Sequence, residues 1–173
     1  MAISLYDAVV AGFIQSLSGV SNFLEKGRAH CEATGVDAND LVDYRLTTDM
    51  LPFSFQISSV AHHSIGAITG VKAGLFTPGA PVPEPGYAGL QKLIAEAQVA
   101  LAALTPDEVN GLEGKDMVFK IGEMQMPFTA EGFLLSFSLP NLHFHATTAY
   151  DILRLKGAPL GKRDFLGQPR MKR

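Results

Sequence analysis

Two histidines separated by one residue stand in the stretch SLPNLHFHATTAYDILRLKG, residues 138–157, as His143 and His145. A second pair, His62 and His63, occurs in the first half of the chain. Imidazole is a common ligand of zinc and related metals, and it titrates close to neutral pH, so it also serves as a general acid or base. The four histidines are therefore the first candidates for a functional site, and they would converge if their helices pack together.

The spacing places His143 and His145 on different sides of one predicted helix. An apolar stripe marks the core-facing side of that helix: Leu142, Ala146, Ala149 and Leu153. At about 100° per residue, His145 lies roughly 60° from the stripe and points inward, whereas His143 lies roughly 100° away on the other side. Two ligands from one helix to one ion should be three or four residues apart, so this pair is not expected to chelate a metal.

His63 is the expected partner of His145. His62 and His63 are adjacent on a predicted helix, so at most one of them is expected to face the same cavity, and His63 shares a face with Gln56. His63 and His145, supported by Gln56 or Asn141, make two strong ligands, whereas catalytic zinc takes about three and a water. The open interpretations are a divalent metal such as zinc or nickel on His63 and His145, a polar cavity for binding or acid–base work, and a simple hydrogen bond from His145 to Gln56 or another polar group.

Apolar residues at three- and four-residue spacing predict four long helices. Their expected ranges are 4–27 (or to 35), 48–73, 86–104 and 130–156. Ser4 is a favourable N-cap for the first helix. Pro52 falls in the first turn of the second, where a missing N–H costs little. Pro140 should kink or break the fourth helix.

The segments between these helices predict a long connector and a small hairpin. LFTPGAPVPEPGY, residues 75–87, contains four prolines and should adopt an extended polyproline conformation. At roughly 3.1 Å per residue it reaches along a whole helix, which allows the second and third helices to run parallel. TPDE at 105–108 predicts a capping box and a short helix, and the alternating MVFKIGEMQMPF predicts a β-hairpin turning at Gly122 and Glu123. The expected fold is mainly α: a four-helix bundle with a hairpin between helices three and four.

Length, charge and cysteine content restrict the class of protein. The 173 residues are expected to form one domain, 1–173, and the net charge of −3 without a basic stripe argues against nucleic-acid binding. No apolar stretch reaches the roughly 18 residues of a membrane span. The single cysteine, Cys31, cannot form an intramolecular disulfide, which fits a reducing, cytoplasmic location. A 47% hydrophobic composition with 18% charged residues suggests an apolar surface closed by a second subunit, so a homodimer is expected.

Several segments resemble a domain-of-unknown-function family related to the DinB/YfiT-like proteins. They are RLTTDMLPFSFQ at 45–56, MPFTAEGFLLSFSLP at 126–140 and LPNLHFHATTAYDILRLKGAPLGKRDFLG at 139–167. The resemblance covers nearly the entire chain. It implies a DinB-like four-helix bundle with up-down-down-up topology, often dimeric.

The resemblance also implies a site. Relatives include metal-dependent enzymes, some acting in thiol-dependent transfer or isomerisation, with one histidine from helix two and an H-x3-H pair from helix four. His145 matches one histidine of that pair, and Asn141 or Ala149 occupies the position of the other. His62 or His63 matches the helix-two ligand. The metal-binding set is therefore degenerate in this sequence.

Three functional hypotheses follow. The favoured one is a small-molecule-binding bundle whose pocket is lined by Gln56, His63, His145 and Tyr150. The second is a metal-dependent transferase or hydrolase in which His63 and His145 hold the ion. The third is a dimeric interaction protein without pocket chemistry.

Overall fold

The computed structural model describes residues 3–79 and 85–172, and it is mainly helical with one small sheet. Three of the four long helices contain a π-helical turn. The helical segments are α1 (Tyr6–Val10 and Ala11–Thr34), α2 (Phe53–Ala61, His62–Gly66 and Ala67–Ala73), α3 (Gly86–Ala102), the short α4 (Pro106–Asn110), α5 (Ala130–Phe133, Leu134–Ser138 and Leu139–Leu155) and the short α6 (Lys162–Leu166).

Helix ends follow the local sequence signals, with one exception. Gly35 and Gly74 end α1 and α2 in the left-handed conformation, with φ of 70° and 72°. The second helix was expected from Thr48, but α2 begins only at Phe53, because Pro52 is extended (φ −69°, ψ 169°) and acts as the N-cap. The clash between a proline ring and the preceding residue disfavours helix there, so residues 48–50 form a turn and a bend, and residue 51 is irregular.

The sheet contains three strands, in the order β1 (Leu75–Phe76), β2 (Asp116–Ile121) and β3 (Met124–Thr129). The predicted hairpin is present, since β2 and β3 pair antiparallel around Gly122, whose φ is 56°. Residues 75 and 76 were expected to belong to the extended polyproline connector. They instead form β1, which pairs parallel with β2 through Leu75 to Val118 and Phe76 to Phe119. Residues 80–84 of that connector lie outside the described residues.

Pro140 does not break α5. The helix passes through a π-helical turn, Leu134–Ser138, immediately before the proline, and the Leu139 N–H donates to the Leu134 carbonyl. A proline cannot donate to the carbonyl four residues before it, and a π-helical turn is one way in which a helix adapts to such a disruption. The helix is therefore not broken at Pro140, and it contains a locally widened turn just before the proline.

Each of the four long helices packs against two of the others. α1 packs against α3 and α5, and α2 packs against the same two helices, while α6 lies on α1. The largest fully buried side chains include four phenylalanines: Phe13, Phe23, Phe53 and Phe133. Within residues 3–79 and 85–172, no helix has both the length and the apolar character needed to cross a membrane.

Candidate functional site

A cavity of about 740 Å³ opens between α2, α5 and the sheet. Four aromatic rings form much of its wall: Phe55, Phe76, Phe119 and Phe137. Its polar lining consists of Ser54, Ser58, Ser59, His62, His63, Asn141 and His145. Among the described residues that line it, none is Asp, Glu, Lys or Arg. The cavity is thus aromatic, with imidazole, hydroxyl and amide groups and without a formal charge from that part of the chain.

The aromatic wall is built by four different elements, and Phe55 is the ring that α2 contributes. Phe76 comes from β1, Phe119 from β2 and Phe137 from the π-helical turn of α5. The ring centroids of Phe119 and Phe137 lie 4.7 Å apart, and those of Phe76 and Phe119 lie 6.1 Å apart. Contacts in this range are favourable for aromatic pairs. The small sheet therefore closes one side of the cavity with apolar rings.

His145 is oriented by a short chain of hydrogen bonds. The side-chain amide of Gln56 donates from Nε2 to the Leu51 carbonyl (2.8 Å), and its Oε1 lies 2.7 Å from His145 Nδ1. The first bond assigns the amide orientation, so Oε1 must accept and His145 Nδ1 must donate. Burial lowers the pKa of His145 to about 4. The ring is therefore neutral near pH 7, with Nε2 as a bare acceptor.

The Nε2 atom of His145 is open to the cavity. Within the described part of the chain it has no hydrogen-bond partner, and no buried side-chain nitrogen or oxygen there lacks one. An unpartnered Nε2 must therefore be solvent-accessible, on the side of the ring away from Gln56. This lone pair is the best-defined polar feature of the cavity.

His63 is the more deeply buried imidazole of the site. Its Nδ1 lies 3.4 Å from the hydroxyl of Ser138, which is fully buried on α5. Burial, with smaller contributions from His62 and His145, lowers the pKa of His63 to about 3. The rings of His63 and His145 are nearly parallel, at 14°, with centroids 6.0 Å apart. Both imidazoles are thus neutral at the same time and face the same cavity.

His62 also lines the cavity, which corrects the expectation that only one of the two adjacent histidines could do so. Its Nε2 donates to the Thr77 carbonyl over 2.7 Å, and its ring stacks on Phe76 at 4.2 Å. A Cβ on Gly66 would lie only 2.9 Å from its Nδ1. The Nε2–H of His62 is therefore engaged and fastens the segment after β1 to α2. Its Nδ1, beside Gly66, has no hydrogen-bond partner among the described residues and is therefore also solvent-accessible, as a second acceptor.

A single family model matches almost the whole chain, and this match shows which family the chain belongs to. The family model described as a domain of unknown function, DUF1993, matches residues 5–166. The chain belongs to the DUF1993 family. Among solved structures, the crystal structure of a DinB family member protein from Shewanella denitrificans is similar to this DUF1993 chain with a TM-score of 0.80 and 26% identity, covering 98% of this chain and 95% of that one. No curated protein matches the sequence.

The structure brings together part of the predicted pocket of this DUF1993 protein. His63 and His145 line the cavity, as does Asn141, and Gln56 lies behind His145 as its hydrogen-bond acceptor rather than in the lining. Tyr150 lies elsewhere. It is five residues after His145, which turns its side chain to about 140° away around the helix.

The surroundings of Tyr150 belong to the other side of α5. Its ring makes edge contacts with Phe23 of α1 at 6.1 Å and Phe165 of α6 at 5.7 Å. Its inclusion in the pocket is therefore corrected: it packs α1, α5 and α6 together. His143 is exposed and also outside the cavity, so three of the four histidines converge.

The cavity of the DUF1993 chain does not fit the three-histidine metal site that the resemblance implies. Asn141 lies one turn before His145, and its Nδ2 donates to the Phe137 carbonyl over 2.7 Å. Within the described residues, no group of three or more His, Cys, Asp or Glu side chains is placed to hold an ion. Catalytic zinc takes about three protein ligands, so His63 and His145 alone fall short. A metal on these two residues stays a prediction.

The sequence patterns do not predict the aromatic wall as a whole. Phe119 carries a usable signal, because Met117 and Phe119 are the buried members of the alternation in β2. Phe76 carries no such sequence signal, because β1 is only two residues long and its partner strand is some 40 positions away along the chain. Phe137 sits in a π-helical turn, where regular helical spacing does not apply.

Proposed function

We propose that this protein binds a small, neutral and largely aromatic molecule in the cavity between α2, α5 and the sheet. The observation that carries the proposal is the combination of a 740 Å³ cavity with an aromatic wall and the neutral imidazoles of His63 and His145. Ligand pockets of proteins are mostly apolar, are several hundred cubic ångströms in size and contain a few convergent polar groups. This cavity has those properties.

The electrostatics of the cavity favour a neutral ligand. Burying an ion without an opposite charge is costly, and the described lining offers no carboxylate, ammonium or guanidinium group. His63 and His145 do not supply a positive charge, because burial keeps both pKa values well below neutral. A carboxylate or phosphate ligand would find hydrogen-bond donors here but no charge partner.

The same pKa values favour binding over acid–base catalysis at neutral pH. An effective general base has a pKa near the working pH, so that it is both available and strong. With a pKa of about 4, His145 is available as an acceptor but is a weak base. Binding requires only the lone pair, which is present over the whole neutral range.

The direct test is saturable binding of the neutral fluorescent probe N-phenyl-1-naphthylamine. We expect one probe per chain, with the fluorescence increase that accompanies transfer into an apolar site. Ser58→Trp places a large ring in the cavity from α2 and should abolish binding. Ser136→Trp is the matched control, because Ser136 is exposed on α5 outside the lining. Equal binding by both variants, or no saturable binding by the unmodified chain, would contradict the proposal.

We also propose that the four long helices follow the up-down-down-up course of DinB-like bundles. The pairing of α1 and of α2 with both α3 and α5 supports it, as does the similarity to the DinB family member structure. The expected homodimer stays a prediction. Phe55 and Phe144, 40% and 56% exposed beside the cavity, favour it, and light scattering of the purified chain tests it.

A further inference from the structure

We propose that the cavity selects ligands that donate a hydrogen bond, namely aromatic rings carrying a neutral hydroxyl or N–H group, which meets Nε2 of His145 while the ring lies against the phenylalanine wall. This inference rests on the proposed function and deepens it by naming the ligand class. It depends on the direction of hydrogen bonding around His145, which the protein itself fixes.

The direction of the hydrogen bonds around His145 is set by a backbone carbonyl, that of Leu51. The Leu51 carbonyl can only accept, so the Gln56 amide must turn its nitrogen to it and its oxygen to His145. That oxygen can only accept as well, so the proton of the neutral imidazole is on Nδ1. Gln56 is 2% exposed and held at both ends, which prevents the amide from turning over. The cavity therefore always meets the acceptor side of His145.

The serine hydroxyls of the lining, Ser54, Ser58 and Ser59, can donate or accept, so they can satisfy either kind of ligand and do not set the preference. His62 uses its Nε2–H on the Thr77 carbonyl, and one of the two Asn141 amide hydrogens is used on the Phe137 carbonyl, so these two hydrogens are not available to a ligand. A ligand that only accepts would leave Nε2 of His145 desolvated and unpaired. Leaving a buried polar atom without a partner is penalised, whereas a donor on the ligand satisfies it.

The aromatic preference follows from the wall opposite. Phe76, Phe119 and Phe137 present ring faces and edges at separations of 4.7–6.1 Å between neighbours. Offset-stacked and edge-to-face arrangements of a bound ring on such a wall add to the gain from apolar burial. A phenol or an N–H heterocycle combines such a ring with a neutral donor.

The test compares p-cresol with p-xylene, which has nearly the same shape but a methyl group in place of the hydroxyl. Each competes with N-phenyl-1-naphthylamine, and the ratio of the p-xylene to the p-cresol dissociation constant is measured. Comparing this ratio between variants cancels the different hydrophobicities of the two ligands. We expect the ratio to be about tenfold higher in the unmodified chain than in His145→Phe, the loss of one hydrogen bond. His143→Phe, outside the cavity, should keep the original ratio.

A second measurement tests the inference in the unmodified chain, in case His145→Phe does not fold. In the unmodified chain with ¹⁵N-labelled histidine, NMR should show the proton of His145 on Nδ1. Addition of p-cresol should shift the Nε2 resonance towards that of a hydrogen-bonded nitrogen, and p-xylene should not. A proton on Nε2, or the same response to both ligands, would overturn the inference.

The failures of the two proposals can be told apart. If the naphthylamine probe binds but the p-xylene to p-cresol ratio is the same in His145→Phe, the cavity binds apolar molecules and the donor preference is wrong. Tighter binding of 4-methylbenzoate or 4-methylbenzylamine than of p-cresol would also overturn it, by showing selection for charge. If the probe itself does not bind saturably, the proposed function fails and the inference fails with it.

Discussion

The neutral histidines of the cavity should make the protein sensitive to mild acid. In the folded state burial lowers the pKa of His63 to about 3 and that of His145 to about 4, from an ordinary value of 6.5. Below pH 6.5 the unfolded chain therefore binds protons that the folded chain excludes. Stability is complete above about pH 6.5 and falls as the pH drops towards 4, the direction expected for bases whose pKa is lowered by folding.

The size of the effect at pH 5 follows from the pKa values. There the unfolded histidines are mostly protonated and the folded ones are not, so each fully buried histidine contributes about 2 kcal/mol, at 1.36 kcal/mol per pH unit over 1.5 units. His63 is 8% exposed and should contribute most of this. His145 is more accessible, and screening by solvent reduces its share to about 1 kcal/mol. We expect a loss of roughly 3 kcal/mol between pH 7 and pH 5.

Urea unfolding followed by circular dichroism at pH 7, 6 and 5 measures this loss. At pH 5 free carboxyl groups are still largely ionised, so the histidines dominate the change. His63→Gln, which stays neutral, should remove more than half of the pH dependence, and His143→Gln, exposed outside the cavity, should remove much less. A change below about 1 kcal/mol in the unmodified chain would refute the reasoning, because the imidazoles would then be solvated or already charged.

Two further predictions concern contacts of α1. A Cβ on Gly19 would lie 2.1 Å from the Phe165 carbonyl oxygen, whereas one on Gly12 would meet nothing within 4 Å. Gly19→Ala should therefore lower the melting temperature and speed hydrogen exchange in α6, while Gly12→Ala should stabilise the helix by about 1 kcal/mol. Tyr87→Phe removes the hydroxyl that donates to the Leu24 carbonyl over 2.8 Å, and urea unfolding should show a loss of about 1 kcal/mol.

The helices and the hairpin were predictable because their signals are local. The capping box of Thr105 and Glu108 starts α4 as expected, and Gly35 and Gly74 end their helices. The alternation before and after Gly122 forms the hairpin. Each of these features depends on residues within a few positions of one another, where propensity and capping decide the conformation.

The cavity was only partly predictable because several separate segments build it. The pairing of His63 with His145 followed from two helical faces, and each face could be found from its own spacing. β1 depends on a parallel partner strand far along the chain, so residues 75 and 76 alone do not predict it. Tyr150 was misplaced for a related reason: the sequence shows that a residue is near the core, but not which neighbouring helix it meets.

The two π-helical turns beside the cavity explain where the helical-wheel argument succeeded and where it failed. His145 lies in the regular segment Leu139–Leu155, so its angle to the core stripe was correct. His62 and His63 lie inside a π-helical turn, as do Phe137 and Ser138 on the facing helix. Such turns are wider than an α-helical turn and are frequent at functional sites. They occur on both facing helices and are joined by the contact of His63 with Ser138, so the angles of a regular helical wheel do not apply to the residues that these turns place at the cavity.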